Sequence, residues 1–272
     1  PADDPLYVAT HFGLFQVKDD HEPTRVADRY QDTMAFTVVG PGHFLGSGHP
    51  DLREDLPPHL GLIESTDAGQ TWKPLALQGR ADFHILEPAG DVLYAYDATS
   101  GRLLRTEDRA TFEEVLAVPL LSVAATETQD QLIATTDQAQ LITINPATGE
   151  TLWWIPNGDT PDRIANHPAL EGVDIGNTGS PSHPTTISTK SLLIYGEGRG
   201  GRAVLHAHNK RTGERIGTVE IPAPTNTALM TFMHEGVQYI VVPIGGSGAG
   251  RGGRGGRRQQ HPGSFVALRL PE

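Results

Sequence analysis

The sequence predicts an all-β fold and, within that class, a single β-propeller of six four-stranded blades, five or seven being the neighbouring counts. Two observations lead there. The chain of 272 residues carries 31 Gly and 21 Pro, which interrupt helices and punctuate short apolar runs. Those runs recur in sets of four at intervals of roughly 40 to 45 residues, the period of propeller blades.

The sets follow in chain order. "DTMAFTVVG", "HFLGSGH", "LGLIEST" and "TWKPLAL" form the clearest; "ADFHILEPA", "DVLYAYD", "RLLRTED" and "TFEEVLA" form the next. "LSVAATET", "DQLIATT", "AQLITINP" and "TLWWIP" make a third, and "PTTISTK", "SLLIYGEG", "AVLHAHN" and "RIGTVEIP" a fourth. Three segments stand at each end: "LYVATH", "GLFQVK" and "TRVADRY" first, "ALMTFMH", "QYIVVPIG" and "FVALRLP" last. A ring closed by pairing the terminal strands leaves no open sheet edge, so closure of that kind is expected.

Charge and composition narrow the function classes. A formal charge of -12 disfavours broad attraction to nucleic acid or to an anionic membrane surface. The absence of Cys removes disulfides, thiolate metal sites and cysteine nucleophiles. No apolar run reaches the roughly 18 residues of a membrane span, and the start "PADDPLYVAT" has no signal-like segment. The expectation is a soluble monomer, or the mature part of an exported chain.

One turn motif stands out. In "STDAGQTW", Ser65 and Asp67 offer short oxygen acceptors for a tight turn, and Gly69 suits the positive φ such a turn requires. Thr71 and Trp72 open the next strand, where the indole is expected to fill the seam between sheets. "TEDRATF", Thr106 to Phe112, reads as a shortened copy without the glycine. The motif resembles the Asp box of BNR-repeat proteins, and residues 5 to about 118 resemble a bacterial BNR-repeat propeller family that often carries a glycosyl hydrolase label. The resemblance implies that the motif sits on an outer hairpin, away from the active-site end. A sialidase-like arginine cluster, Tyr-Glu pair and acid are not assembled by this sequence in a recognisable order.

A second motif system follows. "TINPATGETLWW" fits Ala-x-Asp-x-x-Thr-Gly-x-x-x-Trp, with Asn145, Thr148, Gly149 and Trp153 in the key places. Asn145 can cap the turn that Gly149 closes, and Trp153 can dock between blades. "AYDATSGRLLR" and "AHNKRTGERIG" are weaker copies in which Arg105 and Gly217 replace the Trp; the latter contains Asn209, Thr212 and Gly213. This is the blade motif of PQQ-dependent quinoproteins. From about residue 140, the chain is similar to the C-terminal portion of membrane-type quinoprotein glucose dehydrogenases, a family that holds PQQ and Ca²⁺ to oxidise sugars or alcohols. That family's catalytic Asp, PQQ-contacting Lys and most Ca²⁺ ligands come from earlier blades, so the resemblance transfers no catalytic residue and no cofactor is expected.

The expected organisation is therefore one propeller, 1–272, with a BNR-like half, 1–139, and a quinoprotein-like half, 140–272, joined as a natural or engineered chimera. Both parent families are exported. A Gly/Arg-rich segment at 245–264 lacks aromatic residues for base stacking and reads as a disordered hairpin insertion.

Two histidine-bearing stretches remain. His206 and His208 lie at i and i+2 on one strand face, where two rings can converge on a cation, although solvated or hydrogen-bonded histidines are favoured without a third ligand. "GHPDLREDLPPH" places His49, Asp51, Arg53, Asp55 and His59 on a long loop, read first as an ordinary exposed loop and second as a binding loop. The function expected is a propeller scaffold without an intact catalytic site, a passive module open to a small molecule at its channel mouth. A PQQ-dependent sugar or alcohol dehydrogenase and a glycoside hydrolase are the alternatives.

Overall fold

The computed structural model describes residues 6–18, 22–126, 128–180, 182–227, 229–245 and 263–269. They form six antiparallel sheets, the blade complement of a six-bladed β-propeller. The chain divides into two compact units: Pro1–Leu120 with Ala147–Gly149, and Leu121–Pro146 with Glu150–Glu272.

In the first unit, β1 (Leu6–Thr10), β2 (Gly13–Val17) and β3 (Thr24–Arg25) make a three-stranded sheet. The next sheet contains β4 (Asp32–Gly40), β5 (His43–His49), β6 (Leu62–Ser65) and β7 (Lys73–Ala76) in sequential order. A third contains β8 (Phe83–Ala89), β9 (Val92–Asp97), β10 (Arg102–Thr106) and β11 (Glu113–Leu116).

The second unit holds β12 (Leu120–Ala125), whose first residue belongs to the first unit, with β13 (Leu132–Thr136), β14 (Gln140–Ile144) and β15 (Thr151–Pro156). Then come β16 (His183–Ser188), β17 (Leu192–Arg199), β18 (Val204–Asn209) and β19 (Arg215–Glu220), followed by the three-stranded β20 (Met230–His234), β21 (Val237–Ile244) and β22 (Ser264–Arg269). A four-residue helix, α1 (Asp162–Ala165), interrupts the connection between β15 and β16. Among the described residues, no helix is long and apolar enough to cross a membrane.

Two expectations need correction. Four of the six blades have four strands, whereas the first and last have three. The three apolar segments at each end supply three strands, and β3 is held to two residues between Pro23 and Ala27, a non-glycine residue at φ 54°. Pro cannot donate to a ladder and a positive φ turns the chain away, so this edge stops early. The second correction concerns closure. Among the described residues β1 pairs with β2 and β22 with β21, and the two terminal strands share no sheet. The Gly/Arg-rich stretch 246–262 lies outside the described residues; the strands flanking it, β21 and β22, pair antiparallel.

The core is a series of seams between neighbouring sheets. Leu14, Val26 and Phe44 join the first two sheets, with Tyr7, Phe36 and Trp72 packed around them. Leu45, Leu62, Phe83, Leu93 and Ala95 join the next pair, and the Phe112 ring stacks on Phe83 at 5.5 Å. In the second unit, Ile133 and Leu141 meet Leu193 and Tyr195 beneath Trp153. Leu205, Ile221, Val242 and Ile244 fill its second seam. Each aliphatic side chain so covered contributes about 1.5–3 kcal/mol of burial free energy.

One backbone position is sterically exacting. Gly48, at φ +136°, would place a Cβ 2.1 Å from the Asp32 carbonyl oxygen and 2.8 Å from the Met34 nitrogen. A side chain there forces both an unfavourable φ and a displacement of β4. Gly48→Ala is therefore expected to lower the unfolding free energy by about 1–3 kcal/mol, measured by urea denaturation. Gly217→Ala, with nothing within 4 Å of its added Cβ, is the matched control and should stay within about 0.5 kcal/mol of the parent chain.

Candidate functional site

The repeat-motif residues are engaged in turn chemistry. Ser65 Oγ donates to Asp67 Oδ1 at 2.8 Å and accepts from the Gly69 nitrogen at 2.8 Å. Asp67 accepts from the Thr71 nitrogen at 2.9 Å and from the Thr71 hydroxyl at 2.6 Å. Those Thr71 bonds, with help from Ser65, hold the Asp67 carboxyl down to about 2. Gly69 has φ +85°, and a Cβ there would lie 2.5 Å from Leu14 Cδ2. Trp72 packs on the first seam.

The shortened copy behaves alike. Asp108 accepts from the Ala110 and Thr111 nitrogens at 2.8 Å each and from the Thr111 hydroxyl at 2.7 Å. These bonds lower its pKa well below the ordinary carboxylate range. The missing glycine is compensated by Arg109, itself at φ 59°.

In the second unit, Asn209 Oδ1 accepts from the Arg211 nitrogen at 2.9 Å and the Thr212 nitrogen at 3.3 Å. Gly213 closes that turn at φ +74°, and its missing Cβ leaves room for the Trp153 ring, 3.0 Å from where the atom would be. Asn145 receives the other hairpin, its nitrogen donating to the Glu150 carbonyl at 2.8 Å. Thr148 precedes Gly149, which has φ +72° and would clash with the Val115 carbonyl if it bore a side chain.

The long loop after β5 divides into two parts with different roles. Asp51 is buried and accepts from the Tyr30 nitrogen at 2.8 Å, the Arg53 nitrogen at 3.0 Å and the Arg53 guanidinium at 2.6 Å. The Arg53 guanidinium beside it holds its carboxyl far below the usual range. Arg53 also reaches the Asp28 carbonyl and lies 4.8 Å from the Tyr30 ring centroid. This is a clamp that ties the loop down. Asp55 is exposed and stands apart from it.

His49 belongs to a separate cluster with residues from three other segments. Its Nδ1 lies 3.3 Å from Asp32 and its Nε2 3.5 Å from Asp82. The His59 ring is 5.6 Å away, and His84 Nε2 bonds Asp82 at 3.0 Å. His59 is part of the loop motif, but Asp82 carries no sequence signal beyond its i, i+2 spacing from His84. Only packing of β8 beside β5 brings it to the loop.

The most buried ionic group lies in the second unit and was not legible as a site. Glu197, on β17, accepts from Arg202 Nε at 3.0 Å, from the Arg202 nitrogen at 2.8 Å and pairs with His206 Nε2 at 3.0 Å. Its side chain is 1% exposed. Burial raises its pKa, but the bonds from His206 and Arg202 outweigh this and hold it down to about 2. Asp159 sits between Arg202 at 2.8 Å and Arg215 at 3.3 Å. His208 donates from Nδ1 to the Gly213 carbonyl at 2.8 Å, and burial lowers its pKa. His206 and His208 thus engage different partners, with ring centroids 6.4 Å apart.

These groups fit poorly with the Ca²⁺ and quinone that the sequence resemblance implies. Ca²⁺ takes six to eight oxygen ligands, preferably carboxylates and carbonyls. Glu197 and Asp159 are instead matched to arginines, and Asp130 to Thr126, Thr128 and Arg211. A cation would have to displace those partners, so no redox step follows from these residues.

Residues 124–240 match the family described as PQQ: Glucose/ethanol/alcohol dehydrogenase, beta-propeller domain. No curated protein matches the chain. Among solved structures, the chain is similar to one in the mitotic checkpoint complex, at 12% identity and TM-score 0.59 over 90% of this chain and 70% of that one. It is also similar to one in BBS1N in complex with ARL6DN, at 9% identity and TM-score 0.56 over 88% and 70% of the two chains. A third, YCF48 bound to D1 peptide, has 9% identity and TM-score 0.50 over 84% and 69%. At these identities the likeness is one of fold.

The Glu197 pair makes a signed prediction. Its folded pKa lies below the ordinary 4.5, so its stabilisation is complete above that value and is lost as pH falls toward about 2. Glu197→Gln should cost about 3 kcal/mol at neutral pH by removing the buried carboxylate that His206 and Arg202 share, leaving Arg202 with Asp159 alone. It should also flatten the acid limb of stability against pH, measured by denaturation between those pH values.

Proposed function

We propose that the protein is a β-propeller scaffold serving as a passive binding module, built from two propeller lineages and lacking an intact catalytic site. The observation that carries this reading is the engagement of the acids in its turn motifs and of its most buried glutamate. Asp67 and Asp108 are saturated by turn donors, and Glu197 by Arg202 and His206. General acid-base or nucleophilic work needs a carboxylate with a free oxygen facing substrate. The surface depression that gathers Glu107, Asp108 and Glu113 does not offer one readily, because Arg105 pairs with both glutamates there.

Two lineages are supported by the Asp-box-like turns of the first unit and the quinoprotein-type match over 124–240. That match begins at residue 124, ahead of the 139/140 division drawn from the motifs.

A binding role draws support from the edge strands β15 and β19. They expose Leu152 and Trp154, and Ile216 and Val219. An edge strand with apolar side chains accepts an extended segment through unpaired backbone groups. Two of the similar structures are described as bound to a peptide or in complex with a second protein.

The rival reading, a PQQ-dependent dehydrogenase, has the family match in its favour. Both are tested by incubating the full chain with PQQ and Ca²⁺ and following dye reduction on a sugar and alcohol panel, with aryl glycosides assayed in parallel. No turnover above the cofactor-only control is expected, and sustained substrate-dependent turnover overturns the proposal. Extended peptides selected from a display library should lose affinity on Ile216→Lys; failure to select any binder overturns the binding role.

A further inference from the structure

We propose that His49, His59 and Asp82 form a binding site for one divalent transition-metal ion of the Zn²⁺ class, with water completing the coordination shell. One ligand atom from each residue lies within 4.8 Å of the others, close enough to converge on a single ion. The three come from different places: His49 ends β5, His59 stands on the returning loop, and Asp82 leads into β8 of the neighbouring sheet. A shared ion would tie two blades and the loop together.

The protein leaves donor atoms of this group without partners. His59 Nδ1 and Asp82 Oδ1 are both buried and lack a hydrogen-bond partner, an arrangement that opposes folding unless something satisfies them. The Asp82 side chain is 10% exposed. Its other oxygen is held by His84 at 3.0 Å, and its backbone nitrogen donates to Asp97 at 3.0 Å, so the carboxylate is fixed in place. His49 has the outer support usual for a ligating imidazole. Its Nδ1 faces the Asp32 carboxylate at 3.3 Å, which leaves Nε2 directed toward Asp82 at 3.5 Å. Asp32 is itself braced by His11 at 2.8 Å.

The donor set selects the ion. Two imidazoles and one carboxylate suit Zn²⁺ and related ions, whereas Ca²⁺ and Mg²⁺ require mainly oxygen. Tetrahedral bonds of about 2.0–2.2 Å place ligand atoms roughly 3.3–3.5 Å apart. From separations within 4.8 Å, the group therefore closes by up to about 1.5 Å when it binds. His49 at 37% side-chain exposure supplies both the freedom to move and a route from solvent.

The test uses the untagged full chain, stripped with a chelator and titrated with Zn²⁺ in a calorimeter and with Co²⁺ by visible absorption. One ion per chain is expected, with Co²⁺ bands of a low-coordinate nitrogen and oxygen site and a rise in Tm. His59→Gln and Asp82→Asn should each weaken Zn²⁺ binding by more than roughly tenfold and abolish the Tm rise, while His167→Ala leaves both unchanged. Should Asp82→Asn fail to fold, His59→Gln on the half-exposed loop decides alone. Zn²⁺ affinity unchanged in His59→Gln, or no binding to the parent chain, overturns the proposal.

Discussion

The apolar seam between successive sheets is the constraint on which the rest of the structure depends. A single four-stranded sheet cannot bury two faces by itself, so each blade is stable only against another. Phe83, fully buried and stacked by Phe112, performs this task in the first unit, and Tyr195 beneath Trp153 performs it in the second. Glycines cooperate at these seams. A Cβ at Gly46 would lie 3.1 Å from the Trp72 ring, and one at Gly213 equally close to Trp153. The large ring and the missing side chain are two halves of one fit.

Polar groups are arranged around that apolar frame according to distance along the chain. Ser65, Asp67 and Thr71 satisfy one another within a few residues, as do Thr106, Asp108 and Thr111. Such turns form wherever their short sequence occurs. The Glu197 network and the His49 cluster instead join segments that only the packed sheets bring together. A buried carboxylate facing Arg202 and His206 is costly to break and contributes little net stability over an apolar replacement. Its effect is to define one arrangement of β17, β18 and the loop carrying Asp159.

The same separation would allow the two lineages proposed above to coexist in one chain. Turn chemistry is local to each hairpin and indifferent to its neighbours. Seams require only complementary apolar faces, and the leucine, isoleucine and aromatic side chains of both units meet that requirement. Ligand sites have no such tolerance, because their groups arrive from several blades at once. A change of lineage along the chain therefore preserves blades more readily than it preserves chemistry.

By itself the sequence determined the strand segments, their grouping into blades and the hairpin turns, because period, Gly/Pro punctuation and Asx-type bonding act over a few residues. It marked His49 and His59 as neighbours on one loop, and it placed His206 two residues from His208. Tertiary structure decided the rest. It ended the first blade at a two-residue third strand, sent Asp51 into a clamp with Arg53, and turned His206 toward Glu197 rather than toward His208. It also brought Asp82 beside His49 across 33 positions of sequence. Those outcomes depend on which sheet faces pack together, and side-chain volumes in a three-dimensional seam have no counterpart in a one-dimensional pattern.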